Sequence, residues 1–144
     1  MKERPWHKHY DPGVPVSIDY PETPLFAFLE DAARRAPDSP CTVFRDQAVT
    51  YGEMNALASR LAAGLAASGL RKGGRVGLFL PNLPQFVLAF YAVLKAGGVA
   101  AAMNPSYTQR ELEFQAADAG VETLIGLSSA AQMLESVRER LGLR

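Results

Sequence analysis

From residue 50 onward, stretches with helical spacing of apolar residues alternate with short continuous apolar runs. The helical spacing occurs in residues 54–65, 83–94, 112–116 (Leu112, Phe114 and Ala116) and 133–141. The continuous runs are residues 76–80, 99–103 and 121–127. A run without polar alternation is typical of a strand covered on both faces. The order helix, strand, helix, strand, helix, strand, helix therefore predicts an α/β fold with a mostly parallel, doubly wound sheet and flanking helices.

Residues 1–22 precede this pattern and predict an extended N-terminal arm. Five prolines in the first 24 residues fix or restrict the backbone around them. Three aromatic side chains, Trp6, Tyr10 and Tyr20, are expected to dock on the body of the same chain or on a partner subunit. The alternative is a loosely ordered terminus. We accordingly divide the chain into this arm and a partial α/β subdomain, residues 23–144.

Capping signals mark the expected starts of the helices. Four residues are positioned as N-caps: Thr23, Thr50, Thr108 and Ser128. Glu53 and Glu111 each follow a capping threonine by three residues, which predicts two capping boxes. Pro24 stands at the first helical position after Thr23, where its missing N–H group costs no hydrogen bond. Two short strands, residues 41–44 and 48–50, are expected to form a hairpin before the helix that Thr50 caps.

The most apolar part of the chain is residues 76–103. Prolines, Lys95 and the glycine pair 97–98 interrupt it, so it does not predict a membrane span, which needs about 20 mostly apolar residues in a row. The helix within it, residues 83–95, carries apolar side chains around nearly its whole circumference. One sheet face cannot cover such a helix, so we expect further polypeptide to pack on it.

Composition and charge narrow the range of partners. Apolar residues make up 48% of the chain and charged residues 21%, which is typical of a globular protein. Lys and Arg total 15 and Asp and Glu total 15, so we expect no nucleic-acid partner and at most peripheral membrane contact. The sequence contains one cysteine, which excludes an internal disulfide. Residues 1–3 are polar and do not resemble a targeting segment. Both observations predict a cytoplasmic protein.

Few side chains have the spacing that catalysis or metal binding requires. The sequence contains neither a G-x-x-x-x-G-K-[ST] phosphate loop nor a G-x-G-x-x-G string. No histidine follows His9, which excludes a histidine-based triad within the 144 residues, and His7 and His9 are too few ligands for a metal site. Cys41 lies in a predicted apolar strand and is expected to be a small core residue, the alternative being a reactive thiol. We assign no catalytic residue and no metal ligand.

Asn82 and Asn104 are the candidate cofactor-binding residues. Each follows the carboxyl end of a predicted strand, and open parallel sheets bind ligands in that region. The alternative is structural, with Asn82 capping a helix and Asn104 occupying a turn before Pro105.

Two strings and their spacing resemble a known family. Residues 49–54, Val-Thr-Tyr-Gly-Glu-Met, resemble the first core motif of the adenylate-forming (AMP-binding) superfamily of acyl-CoA synthetases, luciferases and peptide-synthetase adenylation domains. Residues 94–99, Leu-Lys-Ala-Gly-Gly-Val, running on to the Asn-Pro pair at 104–105, resemble the second. The start of the chain resembles bacterial long-chain fatty acid-CoA ligases at Trp6, Tyr10 and residues 13–15.

The resemblance implies the N-terminal portion of an ATP-dependent, AMP-forming long-chain fatty acid-CoA ligase. Such an enzyme joins a fatty acid to ATP, releases pyrophosphate, and passes the acyl group from the acyl-adenylate to coenzyme A. The family's phosphate loop ending in Pro-Lys-Gly, its magnesium-binding glutamate and its C-terminal lysine lie beyond the second motif, and none occurs before Arg144. We therefore expect ATP, Mg²⁺ and coenzyme A to serve the full-length enzyme, and this segment alone to be inactive and to bind none of them.

The resemblance also implies the expected partners. These are a fatty acid substrate, the remainder of the ligase chain and, as a further candidate, a second copy of the chain in a homodimer. The alternative hypothesis is a self-standing, non-catalytic, flavodoxin-like α/β module that binds a small ligand or another protein. That module predicts a monodisperse protein that melts cooperatively. A ligase segment predicts an exposed apolar surface that binds hydrophobic dye or self-associates.

Overall fold

The structure is a computed structural model that describes residues 4–143. Its α-helices are α1 (Leu25–Arg35), α2 (Tyr51–Ala67), α3 (Pro84–Lys95), α4 (Gln109–Asp118) and α5 (Ala131–Leu141). Its strands are β1 (Pro40–Phe44), β2 (Gln47–Thr50), β3 (Arg75–Phe79), β4 (Val99–Ala102) and β5 (Thr123–Gly126). Residues 1–3, on which the interpretation of the polar N-terminus depends, lie outside the described residues, as does Arg144.

β3 is the central strand of a three-stranded parallel sheet with the order β4-β3-β5. Its register places Val76 beside Ala100 of β4 and beside Thr123 of β5. The chain passes from β3 through α3 to β4 on one side, and then through α4 to β5 on the other, because parallel neighbours need such crossovers. The predicted parallel α/β sheet with flanking helices is confirmed. β1 and β2 pair as the predicted antiparallel hairpin.

The core consists of two apolar clusters, one on each face of the parallel sheet. Val76 and Leu78 of β3 are buried in a cluster with side chains of α2 and α3. Phe79 is buried in a second cluster with side chains of α4 and α5. Successive side chains of a strand point to opposite faces, so β3 contributes to both clusters. This two-sided burial explains why its sequence shows no polar alternation.

Both predicted capping boxes form. The Thr50 hydroxyl oxygen accepts from the Glu53 N–H group at 3.2 Å, and the Glu53 carboxylate accepts from the Thr50 N–H group at 2.9 Å. The same reciprocal pair joins Thr108 and Glu111 at the start of α4. A capping side chain contributes about 1 kcal/mol to helix stability. These local signals therefore define the starts of α2 and α4.

Two other predicted caps are wrong. Thr23 does not cap α1, because Pro24 keeps an extended ψ of 141° and is itself the N-cap. Proline restricts the residue before it to extended geometry, which leaves Thr23 in the arm. Ser128 begins a 3₁₀ turn instead of capping α5, whose N-cap is Ala130. There the Ala130 N–H group donates to the Leu127 carbonyl oxygen at 2.9 Å, so backbone takes the place of the predicted hydroxyl cap.

The N-terminal arm contains one short 3₁₀ turn, His7–His9, and is otherwise irregular from residue 4 to residue 24. Trp6, Tyr10 and Tyr20 are 50%, 41% and 78% exposed, so residues 25–143 do not bury them, and docking on a partner subunit stays a prediction. The guanidinium of Arg4 lies 5.3 Å from the centre of the Trp6 ring instead. The division between arm and subdomain after residue 22 stays a prediction.

The apolar circumference of α3 is incompletely covered in the described chain. Ala89, Ala92 and Val93 are buried, whereas larger side chains such as Phe86 and Phe90 are only partly buried. The further cover that the sequence predicted for α3 therefore stays a prediction. Within residues 4–143, no helix combines the length and the apolar character needed to cross a membrane.

Candidate functional site

The candidate site is the edge of the parallel sheet where β3 and β4 end. The two strands are parallel neighbours, and Leu78 near the end of β3 lies beside Ala102 at the end of β4. Asn82 follows β3 and Asn104 follows β4, so both candidate asparagines leave the sheet at this edge. Both side chains are exposed. Both residues therefore lie at the carboxyl ends of neighbouring parallel strands, as the sequence predicted, which is the edge where open parallel sheets bind ligands.

The structural alternatives for the two asparagines have different outcomes. The Asn104 side-chain oxygen accepts from the Ser106 N–H group at 3.0 Å, so Asn104 stabilises the predicted turn before Pro105. The predicted capping role of Asn82 is wrong, because Leu83 is the N-cap of α3. A role for either residue in cofactor binding stays a prediction.

Asn82 lines a groove of about 310 Å³ between the β1–β2 hairpin and the start of α3. The other lining residues are Thr42, Val43, Phe44, Leu83, Pro84, Phe86 and Val87. Asn104 is not among them, so this groove does not bring the two asparagines together. The Thr42 hydroxyl oxygen is buried without a hydrogen-bond partner. Sequence reasoning did not single out Thr42, because nothing in the sequence of a short strand indicates that its one hydroxyl group is left unpaired.

The helix starts at this edge do not suit a phosphate group. Phosphates bind helix N-termini through free N–H groups and the positive end of the helix dipole. At α3, Pro84 has no N–H group to donate. At α4, Glu111 already accepts from Thr108, and hydrogen bonds from the Thr108 hydroxyl and backbone lower the pKa of the Glu111 carboxyl. The ionised carboxylate at the α4 start disfavours a second anion beside it.

The described residues also do not fit a magnesium–nucleotide complex. No group of three or more His, Cys, Asp and Glu side chains in residues 4–143 could hold a metal ion. The carboxylates of Glu53 and Glu111 are used in helix capping.

Cys41 of β1 is partly buried against the cluster that contains α2 and α3. Burial raises the pKa of its thiol, and burial also raises the pKa of the neighbouring Tyr91 phenol, with smaller contributions from Cys41 and Tyr51. A raised pKa keeps the thiol neutral near pH 7, whereas the thiolate is the nucleophile. The structure thus supports the expected core role over a reactive thiol.

We expect iodoacetamide to alkylate Cys41 several-fold more slowly in the folded chain than in urea at pH 8. Burial lowers both access to the sulfur and the thiolate fraction. The fold favours the neutral thiol over the thiolate. The contribution of this preference to the free energy of unfolding is therefore present below about pH 8.5, and it is lost as the pH rises through the raised pKa of Cys41. Mass spectrometry of timed samples measures the rate. Equal rates in buffer and in urea would contradict the core assignment.

Comparison with known proteins identifies the family to which this chain belongs. The profile of the AMP-binding enzyme family matches residues 29–143. The chain belongs to the AMP-binding enzyme family. The matched residues begin within α1 and include the whole parallel sheet and helices α2 to α5.

Several relatives of this AMP-binding chain are long-chain-fatty-acid–CoA ligases. The chain is 40% identical over 127 residues to that of Bacillus subtilis, covering 88% of this chain and 23% of the relative. It is 37% identical over 137 residues to that of Yersinia pestis, covering 94% of this chain and 24% of the relative. It therefore spans about a quarter of the length of these relatives.

A solved structure matches as well. The chain superposes on the N-terminal domain of FACL13 from Mycobacterium tuberculosis with a TM-score of 0.72 and 34% identity, covering 78% of this chain and 29% of that one. At this identity the match supports both the fold and the family resemblance that the sequence predicted.

The second family motif serves packing at the opposite edge of the sheet. A Cβ atom on Gly98 would lie 3.0 Å from Val93 and 3.1 Å from the Gly74 carbonyl oxygen. The turn before β4 is also tied to the turn before β3, since the Gly73 N–H group donates to the Gly97 carbonyl oxygen at 2.8 Å. These glycines thus allow two turns to touch at the start of β3 and β4.

Lys95 of the same motif acts between helices. It donates to the Glu30 carboxylate and so joins α3 to α1. Its side chain is only 8% exposed, whereas that of Glu30 is 42% exposed. Lys95, Gly97 and Gly98 of this motif therefore make packing and helix–helix contacts in this chain.

Proposed function

We propose that this chain is the N-terminal portion of an ATP-dependent, AMP-forming long-chain fatty acid-CoA ligase. The observation that carries the proposal is the 40% identity to a long-chain-fatty-acid–CoA ligase along 88% of the chain. The complete enzyme would convert a fatty acid and ATP to an acyl-adenylate and pyrophosphate. It would then transfer the acyl group to the thiol of coenzyme A, releasing AMP.

This portion contributes a rigid support to that reaction. Precise catalytic sites need rigid elements that hold their groups in place. The buried β3 strand, the two capping boxes and the Lys95–Glu30 ion pair supply rigidity on both sides of the sheet. ATP use follows from the AMP-binding family, and the sites for ATP, Mg²⁺, coenzyme A and the fatty acid are assigned to the remainder of the chain. A homodimer, peripheral membrane contact and a cytoplasmic location stay predictions.

The self-standing binding module is the less favoured alternative. Such a module needs its own ligand loops at the edge where β3 and β4 end. The α3 start lacks a donor at Pro84, and the α4 start is occupied by Glu111. The apolar side chains left partly exposed on α3 instead support a body that is completed by further polypeptide.

A chimera tests the proposal directly. We expect that a Bacillus subtilis ligase whose aligned 127 residues are replaced by those of this chain keeps fatty acid-dependent ATP–pyrophosphate exchange. A rate within about tenfold of the parent corresponds to about 1.4 kcal/mol in the barrier. The 144-residue chain alone should give only background exchange.

Two controls make the chimera test decisive. Circular dichroism and size-exclusion chromatography establish that the chimera is folded and monodisperse. A folded chimera without exchange activity would argue against the ligase assignment. Exchange by the chain alone would show that the catalytic groups lie within it, contrary to the proposal.

A further inference from the structure

The arm contains a short segment, residues 16–20, with the apolar and polar alternation of a β-strand. Val16, Ile18 and Tyr20 alternate with Ser17 and Asp19. The three apolar side chains are 52%, 55% and 78% exposed. Alternation with period two places all three on one face of an extended chain. The structure gives this segment no strand partner, and it bends at residue 16. We call residues 16–20 the arm segment.

Prolines on both sides of the arm segment block one of its two edges. Within a strand, the N–H and C=O groups of one residue point to one side, and those of the next residue point to the other. We call the side to which the N–H groups of odd-numbered residues point the odd edge, and the other side the even edge. Pro15 and Pro21 are both odd-numbered, so the odd edge has no N–H donor at either end of the segment. The even edge keeps every N–H group, at Val16, Ile18 and Tyr20. Proline is found in sheets on edge strands with its nitrogen facing outward.

We propose that the arm segment is a terminal β-strand that pairs, through its even edge, with an open strand in the remainder of the same polypeptide. This inference rests on the proposed function. Its apolar face would cover an apolar surface there, while Ser17 and Asp19 face solvent. A blocked outer edge also prevents further strands from adding, which is how natural sheets end.

The choice of partner follows from reach and from chain length. None of the described strands β1 to β5 pairs with the arm segment. The relatives are about four times as long as this chain, which leaves ample polypeptide to supply a strand. Only residues 21–24 separate Tyr20 from α1, so Tyr20 stays within about 18 Å of Leu25. A strand of the same polypeptide within this reach is bound intramolecularly, which favours it over a second copy at low protein concentration.

Amide hydrogen exchange at single-residue resolution tests the proposal on the full-length native polypeptide. We expect the amides of Val16, Ile18 and Tyr20 to exchange at least tenfold more slowly than those of Ser17 and Asp19, after correction for intrinsic rates. The 144-residue chain should show no such alternation. Uniformly fast exchange in the full-length protein would overturn the proposal. Protection that disappears on dilution would show pairing with a second copy and would overturn it as well.

Two proline variants of the full-length protein separate pairing from a general effect on the arm. Ile18→Pro removes a donor from the even edge, and we expect it to abolish protection of Val16 and Tyr20. Asp19→Pro places the same change on the blocked edge, and we expect it to preserve that protection. Equal effects of the two variants would overturn the proposal. Exchange does not depend on ligase activity, so alternating protection in an inactive protein would contradict only the proposed function, and uniform exchange in an active ligase only this inference.

Discussion

Replacing Leu112 with alanine is expected to lower the free energy of unfolding by about 2–5 kcal/mol. Leu112 lies in α4 and is fully buried at 0% exposure in the cluster beneath α4 and α5. The substitution removes three carbon atoms from a close-packed cluster that also contains Phe79 of β3 and Val137 of α5, so the cavity cannot close completely. Urea unfolding of the purified chain, followed by far-UV circular dichroism, measures the change.

Phe114→Ala is the matched control in the same helix. Phe114 is 74% exposed, so its truncation should change the free energy of unfolding by less than about 0.5 kcal/mol. The two variants share a helix and a substitution to alanine, and they differ in burial. A loss of similar size in both would mean that α4 does not pack on the sheet as described.

Gly77→Val is expected to be the second destabilising substitution, by about 1–3 kcal/mol. Gly77 lies in the middle of the central strand β3. A Cβ atom there would lie 2.7 Å from Leu124 of β5 and 2.9 Å from the Met103 methyl group after β4. Valine adds two further methyl groups beyond this Cβ atom, at a position that the Leu124 and Met103 side chains already enclose. Relief requires the strands to separate or both side chains to leave their positions.

Gly64→Ala should have the opposite sign. Gly64 lies in α2, and a Cβ atom there meets nothing within 4 Å. Alanine in an exposed helix interior is favoured over glycine by about 0.5–1 kcal/mol. Urea unfolding of both variants gives the comparison. A destabilising Gly64→Ala together with a neutral Gly77→Val would contradict the exposed position of Gly64 in α2 and the enclosed position of Gly77 in β3.

The features that the sequence predicted well depend on neighbouring residues. Thr50 with Glu53 and Thr108 with Glu111 form their capping boxes within a single helical turn. The β1–β2 hairpin turns within a few residues. The buried β3 run and its apolar flanking helices specify a parallel α/β sheet by order alone. Such features need no knowledge of distant parts of the chain.

Features that the sequence did not predict, or predicted wrongly, occur where distant contacts or competing local geometry decide. Phe114 has the same apolar character as Leu112, yet it points away from the sheet because positions 112 and 116 are the two that face it. The Ser128 hydroxyl loses its predicted capping role to a backbone hydrogen bond in a 3₁₀ turn. The unpaired Thr42 hydroxyl arises from its position between the hairpin and the start of α3.

For the candidate site, sequence order was enough to place Asn82 and Asn104 after neighbouring strands. It could not reveal that the Asn104 side chain accepts a hydrogen bond in a turn, or that Pro84 stands at the α3 start while Glu111 takes part in a capping box at the α4 start. The sequence by itself determined the α/β class, the helix caps built from adjacent residues and the family, because these depend on local chemistry and on order along the chain. Only the tertiary structure decided which strand is central and which apolar side chains are buried, because those depend on contacts between residues far apart in sequence.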